Sequence, residues 1–308
     1  MKKQLIPFLL LLVLILSACS SKSNTDEGNS SDEKEQTPET ITYQSENGPV
    51  EVPADPQRVI LLSGFTGNVL ALDVNIVGVD KWSTMNPRFE EELKDAELVS
   101  DENLEKIIEL NPDLIIGLSN IKNLDKLKEI APTVTYTWGK VDYLQQHIEI
   151  GKLLNKEKEA RSWVEDFKKR ANKIGEKVKA KIGEDATVSV IESYAKQLYV
   201  FGNNWARGSE ILYQAMDLEM PEKVKETALD PGYYTISAEV LPEYAGDYII
   251  FSKSPDADNS FMETETYKNI PAVKNDRVFV LNAKQASFSD PLTLEYQLEF
   301  FKESFLGK

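Results

Sequence analysis

Apolar positions along this chain fall into two rhythms, and the alternation occurs twice. Arg58–Ser63 (RVILLS), Asn75–Val79 (NIVGV), Asp113–Leu118 (DLIIGL) and Thr133–Tyr136 are short apolar runs that read as buried strands. Thr66–Leu72, Asn103–Leu110 and Asn123–Ile130 read as the helices between them. Apolar strands separated by amphipathic helices predict a parallel sheet covered on both faces. Beyond residue 183 the plan recurs, with strands at Thr187–Glu192, Asp247–Ser252 and Val278–Leu281. Helices are expected there at Gly208–Met216 and Ser237–Tyr244, and a last one from Pro291 to about Phe305. Between the two blocks runs KEKEARSWVEDFKKRANKIGEKVKAKIG, residues 156–183. Its Val164, Phe167, Ala171, Ile174 and Val178 share one helical face, no proline interrupts it, and Gly183 closes it. At about 1.5 Å per residue this predicts a rod of roughly 40 Å joining two α/β lobes.

The two blocks also carry an internal repeat. Glu105-Lys106-Ile107-Ile108-Glu109-Leu110-Asn111-Pro112-Asp113-Leu114-Ile115-Ile116 aligns with Glu239-Val240-Leu241-Pro242-Glu243-Tyr244-Ala245-Gly246-Asp247-Tyr248-Ile249-Ile250. In each, a glutamate near a helix start precedes an aspartate that opens an apolar strand, which implies two lobes of similar topology.

Composition adds an address and removes several chemistries. The N-terminus has a basic pair, Lys2 and Lys3, and an apolar run, Leu5–Leu16, too short for an ordinary membrane span. Leu16-Ser17-Ala18-Cys19 resembles the lipobox of bacterial lipoproteins, which assigns residues 1–18 to a signal peptide and Cys19 to lipidation. Residues 19–40 hold almost no large apolar side chain and are expected to be a disordered tether. The lobes then occupy 41–155 and 184–308, on either side of the connecting helix. The formal charge is −16, and loss of Lys2 and Lys3 with the signal takes it to −18, a field that repels nucleic acid. Cys19 is the single cysteine and His147 the single histidine, so a protein-built zinc or manganese site is hard to assemble. No phosphate-binding glycine loop, dinucleotide fingerprint or nucleophile elbow occurs, and no carboxylate pair stands out for acid–base work. Carboxylates are plentiful, so a paired-acid hydrolase stays open on inventory alone.

The most informative stretch follows a strand and precedes a helix: Gln197-Leu198-Tyr199-Val200-Phe201-Gly202-Asn203-Asn204-Trp205-Ala206-Arg207-Gly208. Open α/β lobes bind ligands at such positions. Read as an extended Gly/Asn-rich segment, it points Trp205 and Arg207 the same way, one a flat apolar wall and the other a fork of donors for anionic oxygens. With Ala131-Pro132-Thr133-Val134, Leu212-Tyr213-Gln214-Ala215, Tyr244-Ala245-Gly246-Asp247-Tyr248-Ile249 and Asp290-Pro291, this stretch resembles the ferric-siderophore-binding lipoproteins of ABC importers. The ferric hydroxamate group, which takes ferrichrome- and ferrioxamine-type ligands, is the nearest match.

That resemblance implies a binding protein, not an enzyme, with no resident cofactor or metal, in the class III periplasmic-binding-protein fold, two Rossmann-like lobes with parallel-type sheets joined by one backbone helix. It implies ligand contacts at Trp205, Arg207 and Tyr199, with Trp138 facing them; Trp82, Phe65 and Phe288 are further candidate walls. It also implies that Glu105 and Glu239 dock a two-fold permease, that the iron is held by the siderophore, and that a monomer works tethered to the outer face of a cell membrane, as on a Gram-positive surface. Around Ala286-Ser287-Phe288 the hydroxamate relatives carry more aromatic residues than this chain does. A ferric tris-hydroxamate is neutral or singly positive, which suits an acidic protein with one cleft arginine. The same fold also takes catecholate siderophores, haem and corrinoids. A tris-catecholate, with about three negative charges, would call for a cluster of bases, of which only Lys81 and Lys140 are candidates. Haem would call for an axial ligand, for which Tyr199 is the candidate. Trp205 and Arg207 are expected to carry affinity without supporting the fold.

Overall fold

The computed structural model describes residues 39–194 and 197–307. The expected signal peptide, the expected lipidation at Cys19 and nearly all of the expected tether fall outside the described residues. The described chain opens with an antiparallel hairpin, β1 (Thr40–Ser45) and β2 (Gly48–Pro53). A five-stranded parallel sheet follows, made of β3 (Val59–Leu61), β4 (Ile76–Val79), β5 (Glu97–Leu98), β6 (Leu114–Leu118) and β7 (Thr133–Tyr136). Its order is β5-β4-β3-β6-β7, with α1 (Thr66–Leu70), α2 (Leu104–Glu109) and α3 (Leu124–Ile130) among its connections. Side chains alternate across the sheet as the pleat requires. Val59, Leu61, Leu114 and Ile116 enter one core, while Ile60 and Ile115 enter another on the opposite face.

Two helices lead out of this lobe. In α4 (Tyr143–Leu153), Asp142 caps the first turn by accepting the N–H groups of Leu144 and Gln145, each at 2.9 Å. The long helix α5 spans Glu157–Ile182, 26 residues and hence about 39 Å, and stops at Gly183 with φ of 104°. Ala160 belongs to the core of the first lobe, and Val164, Phe167, Ala171 and Val178 belong to that of the second.

The second sheet contains β8 (Val188–Tyr194), β9 (Gln197–Phe201), β10 (Tyr233–Ile236), β11 (Tyr248–Lys253) and β12 (Val278–Asn282) in the order β10-β9-β8-β11-β12. Strand for strand this matches the first sheet. Yet the expected parallel-type sheet is only half realised: β8, β11 and β12 are parallel, whereas β9 pairs antiparallel with both β8 and β10. Only two residues separate Tyr194 from Gln197, far fewer than the dozen or so that a parallel crossover needs, so the chain must reverse. The expected helix at Gly208–Met216 is realised over Ile211–Ala215 as a π-helical turn. After α6 (Glu222–Ala228), the helix expected over Ser237–Tyr244 contracts to α7, Leu241–Tyr244. Pro242 fits a first turn but would lose its place in a helix begun earlier, where its ring meets the carbonyl four residues back. Three short helices, α8 (Glu265–Lys268), α9 (Pro271–Lys274) and α10 (Ala283–Ala286), precede the terminal α11 (Pro291–Leu306).

The repeat seen in the sequence has a mechanical meaning. Asp113 accepts the N–H groups of Gln57 and Arg58 at the start of β3, and Asp247 accepts the N–H and hydroxyl of Thr187 at the start of β8. Each aspartate thus pins the central strand of its sheet to the neighbouring strand that follows it in sequence, β6 or β11.

The lobes also meet along a seam well away from α5 in sequence. Gly67 in α1 has no room for a Cβ, because the Asp290 carboxyl would lie 2.0 Å from it. Asn86 Nδ2 donates to Thr293 Oγ1 at 3.2 Å, the Arg88 guanidinium lies 4.8 Å over the Tyr296 ring, and Phe288 packs between Trp82 and Phe89. Inside, Trp163 of α5 donates to Glu295, which also takes the Arg170 fork. His147 is buried between Asn68 and the edge of Trp163, and burial pushes its pKa down to about 4. It is a packed neutral residue.

Two outcomes follow. A continuous α5 and a buried seam leave no hinge, so lobe rotation on ligand binding is expected to be a few degrees; paired structures with and without ligand, differing by tens of degrees, would contradict this. At Gly175, an added Cβ would stand 2.3 Å from the Met216 carbonyl oxygen. Gly175→Ala gains up to about 1 kcal/mol of helix propensity but forces backbone apart at a cost of roughly 1–3 kcal/mol. Net destabilisation in urea unfolding is the expected result; a stabilised variant would mean that α5 can shift freely over this lobe.

Candidate functional site

The loops at the C-terminal ends of the strands converge on one cavity of about 850 Å³ between the lobes. Its first-lobe wall comes from the loop after β3 (Phe65), the loop after β4 (Trp82), the loop after β7 (Trp138) and the first turn of α4 (Tyr143, Gln146). Its second-lobe wall comes from the loop after β9 and from the segment before α11, notably Trp205, Arg207, Glu210 and Phe288. Six of the seven residues expected to contact ligand therefore border this space. Phe65 and Phe288 are buried walls, whereas Trp82 and Trp138 are 45% and 53% exposed, so the rim tryptophans present open faces.

Tyr199 does not border it. It sits on β9, where its hydroxyl donates to Gln197 and its ring packs 5.9 Å from Tyr233, which in turn lies 5.1 Å from Trp205. It supports the wall from one ring behind. The reason lies in the strand reversal: β9 pairs within the sheet, and only residues beyond Gly202 leave it for the cleft.

Nor is the Trp205–Arg207 segment extended. Ala206 and Arg207 both take left-handed backbone, φ 59° and 57°, strain of roughly 1–3 kcal/mol each for side-chain-bearing residues. Local bonds hold it: Arg207 N–H donates to the Ala286 carbonyl at 2.8 Å, Ala206 N–H to the Glu210 carboxylate at 2.8 Å, and Trp205 N–H to Ser209 Oγ at 3.2 Å. Behind the loop, the Arg207 fork meets Glu192 of β8, with Nη2–Oε1 at 2.9 Å and Nε–Oε2 at 3.1 Å, while Nη1 donates to the Trp205 carbonyl. The guanidinium also lies 5.0 Å over the Phe201 ring. Arg207 is therefore part of the fold as well as of the cavity, contrary to the expectation that it carries affinity alone.

Several lining groups escaped the sequence reading. Glu210 is fully buried, and burial drives its carboxyl pKa up against the bonds from Ala206, Ser289 and Ser209. Tyr143 is raised by burial and then by the charges of Glu210 and Asp142, so its phenol stays protonated. Gln146 lines the cavity with its Nε2 buried and without a hydrogen-bond partner among the described residues. The sequence signal for Gln146 was the capped start of α4, at Asp142, in register with the tryptophan loop before it. Both basic groups at the cavity are compensated, Arg207 by Glu192 and Lys140 by Glu46 at 3.3 Å.

Glu105 lies in the first turn of α2 and Glu239 in the turn before α7, both exposed. The Ser237 hydroxyl holds the Glu239 carboxyl below the usual range. Neither borders the cavity.

The iron(3+)-hydroxamate-binding protein FhuD of Bacillus subtilis is 38% identical over 304 residues, spanning 96% of this chain and 95% of its own. The iron(3+)-hydroxamate-binding protein YxeB of the same species is 33% identical over 319 residues, spanning 100% and 98%. Among solved structures, the FhuD protein of S. pseudintermedius superposes with a TM-score of 0.79 at 34% identity, over 87% of this chain and 99% of that one. Staphylococcus aureus FhuD2 with bound ferrioxamine B does so at 0.77 and 31%, over 82% and 98%. A family profile matches from β3 through α10, residues 60–285, and with the two matched sheets and the helix between them it establishes that this chain belongs to the periplasmic binding protein family and has the FhuD-like fold.

Proposed function

We propose that this chain captures ferric hydroxamate siderophores outside the cytoplasm and delivers them to the permease dimer of an ABC importer. The observation that carries the reading is the cavity: large, aromatic-walled, and bordered by cations that each have a carboxylate partner. A neutral or singly positive chelate with an apolar periphery suits it, and a tris-catecholate with about three negative charges does not. The relatives named as iron(3+)-hydroxamate-binding proteins support the same ligand class. Haem is disfavoured, since Tyr199 lies outside the cavity and Tyr143 resists ionisation. The iron is read as held by the siderophore. Trp205, Arg207, Trp138, Trp82, Phe65 and Phe288 are the proposed contacts, now joined by Gln146 and Tyr143.

Residues 1–18 act as a lipoprotein signal, Cys19 carries the lipid, and 19–40 tether the two lobes, 41–155 and 184–308, and their helix, 156–183, to the outer face of the membrane as a monomer. Among the described residues no helix is long and apolar enough to cross a membrane.

Three of the four tryptophans border the cavity, so binding is readable as fluorescence quenching. Ferrichrome and ferrioxamine B are expected to quench saturably, and an iron catecholate and haem to bind far more weakly; tighter haem or catecholate binding would reassign the ligand. Arg207→Ala is expected to weaken hydroxamate binding roughly tenfold to a hundredfold through lost charge-assisted bonds. It also strands Glu192 in the interior, a loss of about 3–5 kcal/mol of stability, so its melting temperature falls. Trp205→Ala weakens binding with a smaller stability change. Wild-type binding by both variants would move the ligand elsewhere.

Glu105 and Glu239, one exposed acid per lobe ahead of equivalent strands, are proposed to meet one basic pocket on each permease subunit. Iron–siderophore uptake in cells should fall for Glu105→Ala and Glu239→Ala and further for the double variant, with binding by the purified proteins intact. Normal uptake by the double variant ends the docking assignment.

A further inference from the structure

The carboxylate behind Arg207 has chemistry of its own. Glu192 is 3% exposed, points from β8 toward the loop that carries Arg207, and does not itself border the cavity. Its Oε1 accepts Arg207 Nη2, and its Oε2 accepts both Arg207 Nε and the Ser252 hydroxyl, the latter at 2.5 Å. Three N–H donors of the guanidinium are thereby engaged, counting the one to the Trp205 carbonyl, and the remaining Nη hydrogens are left for a ligand. The pairing separates two properties that an arginine usually brings together. Directional donors stay at the cavity, while the net charge there is cancelled by a fixed carboxylate in a poorly solvated setting, where screening by water is weak.

The surroundings do not undo this cancellation. Lys140 at the rim has Glu46, while Asp142, which caps α4, and Glu210, which accepts from Ala206, Ser209 and Ser289, are acids that bring no positive charge to the cavity. Among the described residues the other cation bordering the cavity is Lys140, and it has its own carboxylate partner. A lone guanidinium there would favour any multiply charged anionic chelate over a neutral one, because the Coulomb term scales with ligand charge whereas hydrogen bonding to oxygen does not.

We infer that Glu192 is the specificity-determining residue that sets the charge preference of this site: by neutralising Arg207 it keeps the arginine as a hydrogen-bond donor for uncharged ferric chelates and denies anionic ones an unpaired cation. The inference rests on the reading of the cavity as a ferric-siderophore site. Specificity of this kind is a difference between affinities, achieved by withholding an attraction from the wrong ligand.

The test measures two dissociation constants on each protein by tryptophan quenching, with ferrichrome as the neutral probe and ferric enterobactin as the anionic one. The readout is the ratio of anionic to neutral affinity, which is unaffected by any loss of folded protein because both values come from the same sample. Glu192→Gln keeps the size and a hydrogen-bonding group and removes the charge; the ratio is expected to rise about tenfold or more, equivalent to roughly 1.4 kcal/mol. Arg207→Gln should lower the ratio, and Arg207→Gln/Glu192→Gln should raise it again relative to Arg207→Gln. The latter comparison isolates the Glu192 charge even if Glu192→Gln alone does not fold, since it leaves no stranded buried cation. A ratio that moves less than about twofold on removing Glu192 in both backgrounds, with ferrichrome still binding the wild type, overturns the inference alone. Failure of the wild type to bind either probe overturns the reading of the site and the inference with it.

Discussion

One helix serving two hydrophobic cores is the constraint on which this molecule depends. The apolar stripe of α5 leaves the first lobe at Ala160 and enters the second at Val164, a single turn later. Neither lobe can move far without pulling part of that stripe into water, at about 25 cal/mol per Å² of apolar surface exposed. α4 makes the same transition in reverse, with Leu144 and Ile148 in the second core and Ile150 and Leu153 in the first. Side by side, the two helices form a stiff spine that sets the width of the cleft before any ligand arrives. The preformed cavity is a consequence of that stiffness.

The strained Ala206–Arg207 corner shows how the second lobe spends a conformational cost on recognition. Two successive left-handed residues would relax in an isolated loop, but here three backbone N–H groups have fixed acceptors, and the guanidinium is clamped by a carboxylate from the neighbouring strand. The arginine therefore meets a ligand with its side-chain entropy already lost, which lowers the cost of binding.

Much of the fold was legible because its signals are local. The β3, β6 and β11 runs, the stripe and terminal glycine of α5, and the Asp-led repeat all announce themselves within a dozen or so residues. What was not legible required pairing between segments. The reversal of β9 turned on the shortness of its link to β8, a steric fact that its apolar residues hide. Glu192 and Arg207 are 15 residues apart in sequence and meet only because β8 and β9 are antiparallel neighbours. Glu210 sits at the head of an apolar run that reads as plain helix, and its burial depends on Ser289, 79 residues away. Tyr199 was drawn toward the site by its neighbours in sequence, while the register of β9 sets it between Glu192 and Thr235, with its ring beside Tyr233.

The seam has a bearing on how the protein comes into being. Asn86 and Thr293, which close it, are separated by 207 residues, and Gly67 waits even longer for Asp290. Loop-closure entropy and contact order place such a junction late in folding, after each sheet has formed on its own short-range contacts. An emerging chain thus carries two half-finished globules until α11 is delivered, with the aromatic surface around Trp82 and Phe89 uncovered in the interval. The C-terminal helix is in this sense the keystone of assembly, and the period before it docks is when the chain is most open to misassociation.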